Sequence, residues 1–217
     1  MAYEHEDWEF VILLDAHHTA ESAEVIVQEF TKQQDSIKSL LSGSIKETFK
    51  GIDEKVLQIF QSPEFLASCR KVKGSTSCLI VLRKDKFIWW FSVGDCILYL
   101  FHPELEKLGQ NQVNQRHFFE WIGQVNTFEL LVPCYSYGRK ELRKGLNHLF
   151  LTTDGLIECP GLPYDQPGKI QKEFLDRSNE FALESILKKI QSQNVRDSTT
   201  IISWFVDNDQ EASLPCN

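Results

Sequence analysis

Three apolar runs follow one another between residues 76 and 101: TSCLIVL, KFIWWFSV and CILYLF. The middle one contains Phe87, Ile88, Trp89, Trp90 and Phe91 in succession. A strand with no polar alternation cannot leave one face in water, so the runs predict a sheet covered on both sides. The polar RKD between the first two runs predicts a hairpin, and the third run is close enough in sequence to pair with the second. Two helices are expected before this group. Residues 19–32 place Ala23, Ile26, Val27 and Phe30 on one face, with Glu21 and Glu24 at the favourable N-terminal end. Residues 45–61 place Ile45, Phe49, Ile52, Val56 and Phe60 on one stripe. After the group the pattern loosens. QRHFFEWIGQV reads as a short helix, FELLVP and HLFLTTD as strands, and CPGLPYDQPGK as a loop. Residues 180–193 read as a helix, STTIISWFVD as a closing strand and NDQEASLPCN as a disordered tail. Helices first, strands in succession, then a helix and a strand predict an α+β fold with antiparallel sheet covered by helices. The 217 residues suit one domain over 1–207, with 208–217 as the tail.

The formal charge of -8 argues against a nucleic-acid groove or an anionic membrane surface as the main partner. The six cysteines are scattered with no C-x-x-C pair, which gives no support to a zinc ribbon or a dithiol motif. Several stand inside apolar runs, where a reduced thiol acts as a small hydrophobe. The setting read from them is reducing and cytoplasmic. The opening MAYEHEDWEF is acidic, unlike a secretory leader, and no apolar run reaches the length of a membrane span.

The apolar runs share a second feature: they lead into acids. FVILLD ends in Asp15, WWFSVGD in Asp95 and LFLTTD in Asp154, while Asp197 immediately precedes the last strand. One such acid is ordinarily a cap or turn residue, and Asp15 could cap the helix after it. Four at strand ends form a pattern. If the last strand runs antiparallel to those ending at Asp15 and Asp154, these acids meet at one edge of the sheets. Gathered carboxylates repel unless protons or cations intervene. Hard divalent cations such as Mg²⁺ and Mn²⁺ suit oxygen ligands. Two of them can generate a hydroxide nucleophile near neutral pH, which suits phosphate-ester hydrolysis.

The order D-A-H-H (15–18), G-S-T-S (74–77), V-G-D (93–95), T-D-G-L-I-E (153–158) and D-S-T-T (197–200) resembles that of the metal-dependent type-2C protein phosphatases. The resemblance implies a four-layer α-β-β-α sandwich with a dinuclear Mn²⁺ or Mg²⁺ site. It makes Asp15 the bridging ligand, Ala16 a carbonyl ligand, and Asp154 and Asp197 the remaining core ligands. It assigns Asp95 and Glu158, with Asp154, to a weaker third cation, with Glu158 standing where the family carries Asp. His17 matches the general acid for the leaving alkoxide, a role that an imidazole can fill near neutral pH. The implied reaction is attack of a metal-bridging water on phosphoserine or phosphothreonine in a phosphorylated protein substrate.

The chain departs from the family pattern in lacking the glycines after the histidine and the Ser-Arg after Asp95. It also lacks an arginine on an earlier strand, and HED (5–7) stands too near Asp15 to be the family's Glu-Asp pair on a separate strand. These departures lead to the expectation of an N-terminally shortened form, in which the strand holding residues 10–14 lacks a neighbour. Arg116, Arg139 and Arg143 could replace the missing arginine, but the sequence does not place them. Two other readings stay open. One is a catalytically impaired module of the same fold with a regulatory or binding role. The other is a different metal phosphoesterase with His17 and His18 as ligands, although His102, His117 and His148 are isolated. The substrate protein and the oligomeric state are not encoded in any motif.

Overall fold

Ser75–Lys84 is buried at all ten positions, including Ser75, Thr76, Ser77, Arg83 and Lys84. Such a strand can only lie inside a sheet. A computed structural model describes residues 1–193 and 197–213. In chain order the elements begin with β1 (Ala2–His5), β2 (Trp8–His17), α1 (Glu21–Lys32), α2 (Gln34–Leu41), α3 (Ile45–Phe60) and α4 (Pro63–Cys69). They continue with β3 (Ser75–Lys84), β4 (Phe87–Val93), β5 (Ile97–Phe101), α5 (Pro103–Glu106), β6 (Ile122–Gly123) and β7 (Ser136–Glu141). The last are β8 (Gly145–Thr152), α6 (Asp154–Ile157), α7 (Pro167–Lys172), α8 (Asn179–Gln191) and β9 (Ile201–Asn208). The contacts divide the chain into two units: residues 1–95 with 117–140, and residues 96–116 with 141–217.

In the first unit the sheet order is β1-β2-β3-β4-β7, and β6 also pairs with β3. β2 runs antiparallel to β3 from Trp8↔Lys84 to His17↔Ser75. The helices α1 to α4 supply Ile26, Phe30, Ile37, Leu41, Ile52, Val56, Phe60 and Phe65 to one core with Phe10, Ile12, Ile80, Leu82, Trp89 and Phe91 of the sheet. A capping box on α3, with Ser44 and Glu47 exchanging hydrogen bonds, fixes where that helix starts. Lys84 is buried because Asp7 Oδ2 and the Leu41 carbonyl each accept from its Nζ at 2.7 Å. The pairing offsets the cost of an interior ammonium.

In the second unit β8 is the centre of a sheet ordered β5-β8-β9, antiparallel on both sides. Ala182, Ile186 and Ile190 of α8 pack with Tyr99, Phe101, Phe150 and Leu156. Both units are α+β with antiparallel sheet, as the element order predicts.

Several local expectations are corrected. β5 does not pair with β4; it joins β8 in the other sheet, with Ile97 opposite Thr152. QRHFFEWIGQV forms no helix; it is loop and turn apart from the two-residue β6. FELLVP is no strand either: Thr127–Glu129 is one turn of 3-10 helix, and Leu131 behind it is fully exposed. The strand at residues 10–14 does have its neighbour, because β1 pairs with β2 from Ala2↔Val11 to His5↔Trp8. Of HED, His5 ends β1, while Glu6 and Asp7 form the turn into β2. Of the expected tail, Asn208 ends β9 and Ser213 donates to the Glu141 carboxylate, while 214–217 lie outside the described residues.

Candidate metal centre

In the first unit three donor side chains converge near the ends of β2 and β4. Successive side chains of a strand point to opposite faces, so Asp15 and His17 share one face of β2. Asp95 follows β4 after Gly94. One ligand atom each of Asp15, His17 and Asp95 lie within 4.8 Å of one another. Asp15 and Asp95 are buried.

The G-S-T-S segment at the start of β3 supports this arrangement. Thr76 Oγ1 donates to the Asp15 carbonyl at 2.7 Å, and Ser77 Oγ donates to Asp95 Oδ1 at 2.7 Å. Gly94 has φ +89, and a Cβ there would stand 2.3 Å from Ser77 Oγ. Only glycine lets the turn close onto that hydroxyl. Gly74 has φ +84, and its Cβ would meet the His17 carbonyl at 2.4 Å. The His17 ring meets Trp121 edge to face, with centroids 4.5 Å apart, and its Nε2 is buried with no hydrogen-bond partner among the described residues. A cavity of about 430 Å³ opens beside it, lined by His18, Gly74, Ser75, Trp121, Gln124 and Val125.

In the second unit Asp154 is the first residue of α6, immediately after β8. It is buried, and its carbonyl accepts from the Glu158 N–H at 2.9 Å. Thr153 ties this corner to the segment before β9: its Oγ1 donates to the Ser198 carbonyl at 3.2 Å and accepts from Thr200 N at 3.1 Å. A Cβ on Gly155 would meet the Ser198 carbonyl at 2.5 Å, so glycine permits the close approach. Asp197 lies in the adjoining bend, exposed, and its Oδ1 accepts from Ser198 N at 2.7 Å. Arg116 Nη2 lies 2.7 Å from Glu158 Oε1 and 3.8 Å from Asp154 Oδ2.

No protein-family model and no curated protein matches the sequence. Solved structures do. A bacterial serine phosphatase carrying an arginine-to-glutamate substitution superposes with a TM-score of 0.70 at 16% identity, covering 95% of this chain and 90% of its own. Serine/threonine phosphatase Stp1 from Staphylococcus aureus gives 0.65 at 13%, covering 94% and 86%. PppA of Pseudomonas aeruginosa, described as a key regulatory component of T6SS, gives 0.63 at 12%, covering 89% and 84%.

The chain has the fold of the bacterial serine/threonine phosphatases.

Within that phosphatase fold, Asp15 is not a helix cap. It lies inside β2 opposite Ser77, and α1 starts behind Ala20 without a side-chain cap. Asp15, His17 and Asp95 are brought together in the first unit; Asp154, Glu158 and the 197–200 segment are brought together in the second. Ala16 stands opposite Thr76 with its side chain exposed. Among the described residues no other histidine joins the Asp15–His17–Asp95 cluster. His18 is exposed at φ +73, His102 caps α5, and His148 bonds Ser203 amid aromatic rings. Sequence reasoning missed the work of Ser77 and Trp121. The hydroxyl-rich G-S-T-S was the available signal for Ser77, while nothing local marks Trp121.

Two buried carboxylates at such spacing are an oxygen donor set that fits Mn²⁺ or Mg²⁺. The buried His17 Nε2 beside them leaves its hydrogen-bonding capacity open to a bound group.

Proposed function

We propose that this protein is a divalent-metal-dependent phosphatase acting on phosphoserine or phosphothreonine in proteins, in a cytoplasmic setting. The observation that carries the reading is the convergence of Asp15, His17 and Asp95 in a chain with the phosphatase fold. Asp15, Ala16 and Asp95 are the proposed metal-holding residues of the first unit, and the resemblance proposes Asp154 and Asp197 as metal-holding residues of the second. Bound cations would neutralise phosphate charge and lower the pKa of a water to the working range.

The chain's own residues do the rest. Ser77 holds Asp95 and Thr76 holds the Asp15 backbone, so the carboxylates are oriented before substrate arrives. Trp121 fixes the plane of the His17 imidazole. His17 gives a proton to the departing serine or threonine oxygen, which leaves poorly as an alkoxide. The cavity beside His17, with Trp121 and Val125 in its wall, suits a side chain next to the phosphorylated residue.

A regulatory module of the same fold is the second reading. The pairing of Arg116 with Asp154 favours it, because that aspartate already has a cationic partner. One assay separates the two: hydrolysis of a phosphoserine peptide with Mn²⁺, with EDTA, and by Asp15→Asn. Turnover with metal in the unsubstituted chain alone supports the enzyme. Turnover that survives EDTA contradicts the metal reading, and no turnover under any condition leaves the regulatory one.

A further inference from the structure

The carboxylates of Asp154 and Glu158 converge on a cation that belongs to the chain itself. Arg116 Nη2 is 2.7 Å from Glu158 Oε1 and 3.8 Å from Asp154 Oδ2. The Arg116 side chain is only 19% exposed, a depth at which arginine is ordinarily found paired. The backbone delivers it there. Gln112 bridges to Tyr99, Val113 N donates to the Leu98 carbonyl at 2.9 Å, and Leu100 N donates to the Asn111 carbonyl at 2.8 Å. Asn114 locks the same segment: its Oδ1 accepts from Leu98 N and its Nδ2 donates to the Cys96 carbonyl, both at 2.8 Å. Residues 111–114 are thus held beside β5 by one isolated antiparallel bridge and the Asn114 side chain, and Arg116 emerges two residues later. Its position is set by this pairing as well as by the acids it meets.

We propose that Arg116 is the resident counter-ion of the Asp154–Glu158 pair and limits the number of divalent cations this chain takes up. A guanidinium keeps its charge at every working pH and spreads it over a planar fork. It satisfies Glu158 directly and leans on Asp154. A divalent cation seated between the same carboxylates would stand within a few ångströms of a fixed positive charge and would be repelled. Glu158 is then an arginine partner, not a metal ligand, and the third, weaker cation implied by the resemblance is replaced by a side chain. The proposal rests on the metal-dependent reading of the preceding subsection and on the dinuclear site that the resemblance implies.

The test is Mn²⁺ uptake by the full chain at neutral pH, read as free Mn²⁺ by electron paramagnetic resonance. The chain is expected to saturate at two Mn²⁺, and Glu158→Gln is expected to leave number and affinity within about twofold. Arg116→Gln should add a third, weaker Mn²⁺, which Arg116→Gln with Glu158→Gln should lose. A third Mn²⁺ in the unsubstituted chain that disappears in Glu158→Gln would overturn the proposal and leave the two-metal reading standing. So would an Arg116→Gln chain that melts cooperatively yet still takes two. If Arg116→Gln does not fold, the Glu158→Gln comparison decides alone. Absence of Mn²⁺ uptake by the unsubstituted chain would overturn both.

Discussion

Asp15 and Asp95 in the first unit and Asp154 and Glu158 in the second all lie near the end of an apolar strand, yet they are held differently. Asp95 is fixed by a neutral hydroxyl, Ser77, and Asp15 is tied through its backbone to Thr76. Asp154 and Glu158 face a guanidinium. A hydroxyl orients a carboxylate and leaves its charge in place, whereas a guanidinium cancels it. On the proposed reading the first arrangement is prepared for a cation from solution, and Glu158 in the second already holds one. Strand-end acids in one chain can therefore serve different ends, and their hydrogen-bond partners tell them apart.

The largest effect should come from the acid that the first arrangement depends on. Asp15→Asn is expected to lower phosphopeptide turnover by more than the roughly 10–100-fold that loss of a supporting residue costs a metal site. Glu158→Gln should change turnover by about twofold or less, given its exposed ion pair. Equal losses in the two would break the comparison. Steady-state kinetics at saturating Mn²⁺ make the measurement.

His17→Asn comes next. Loss of a general acid costs about 100-fold or more when the leaving group is a serine alkoxide. An aryl phosphate, whose phenolate leaves unaided, should lose far less. If both substrates fall together, His17 acts on the metal and not on the leaving group.

Ser77→Ala should weaken Mn²⁺ binding by about 10–100-fold while the chain still folds, since the hydroxyl orients Asp95. Titration calorimetry would read it. Unchanged affinity would mean that Ser77 only packs the turn at Gly94.

What the sequence made legible follows from burial. The strands ending near Asp15 and Asp154 are apolar runs that nothing else explains, and the helices 21–32, 45–60 and 179–191 carry clear stripes. β1 (AYEH) and β7 (SYGRKE) were not legible, because edge strands with mostly exposed or half-exposed residues have no apolar signature. The partner of β5 was misread for another reason. Three residues separate it from β4, which suggests a hairpin, but Gly94 and Asp95 turn the chain into the other sheet. At the site, Asp15, His17 and Asp95, which the fold gathers, could be picked out from the motifs. The Arg116 pairing could not, because it depends on a segment lying against β5 by hydrogen bonds that leave no sequence pattern.

A smaller effect concerns pH. Burial among Phe101, Phe174 and Phe205 lowers the His148 pKa from 6.5 to about 4. The unfolded chain takes up this proton near pH 6.5, whereas the folded chain takes it up near pH 4. The contribution is therefore fully present above pH 6.5 and is lost as pH falls towards 4, amounting to about 3 kcal/mol. Chemical denaturation at pH 7 and pH 4.5 should show the fall, and His148→Gln should flatten it. A slope unchanged in that variant would remove His148 as the cause.

The central claim is that the Asp15–His17–Asp95 cluster is prepared for a divalent cation, and thermal melting with Mn²⁺ tests it most directly. A ligand at 100 times its Kd stabilises a folded chain by about 2.7 kcal/mol, which for this size is roughly 5–10 °C. The account predicts a rise of that order for the unsubstituted chain and for Glu158→Gln, and little or none for Asp15→Asn or Asp95→Asn. No rise in the unsubstituted chain, or an undiminished rise in both aspartate variants, would contradict it.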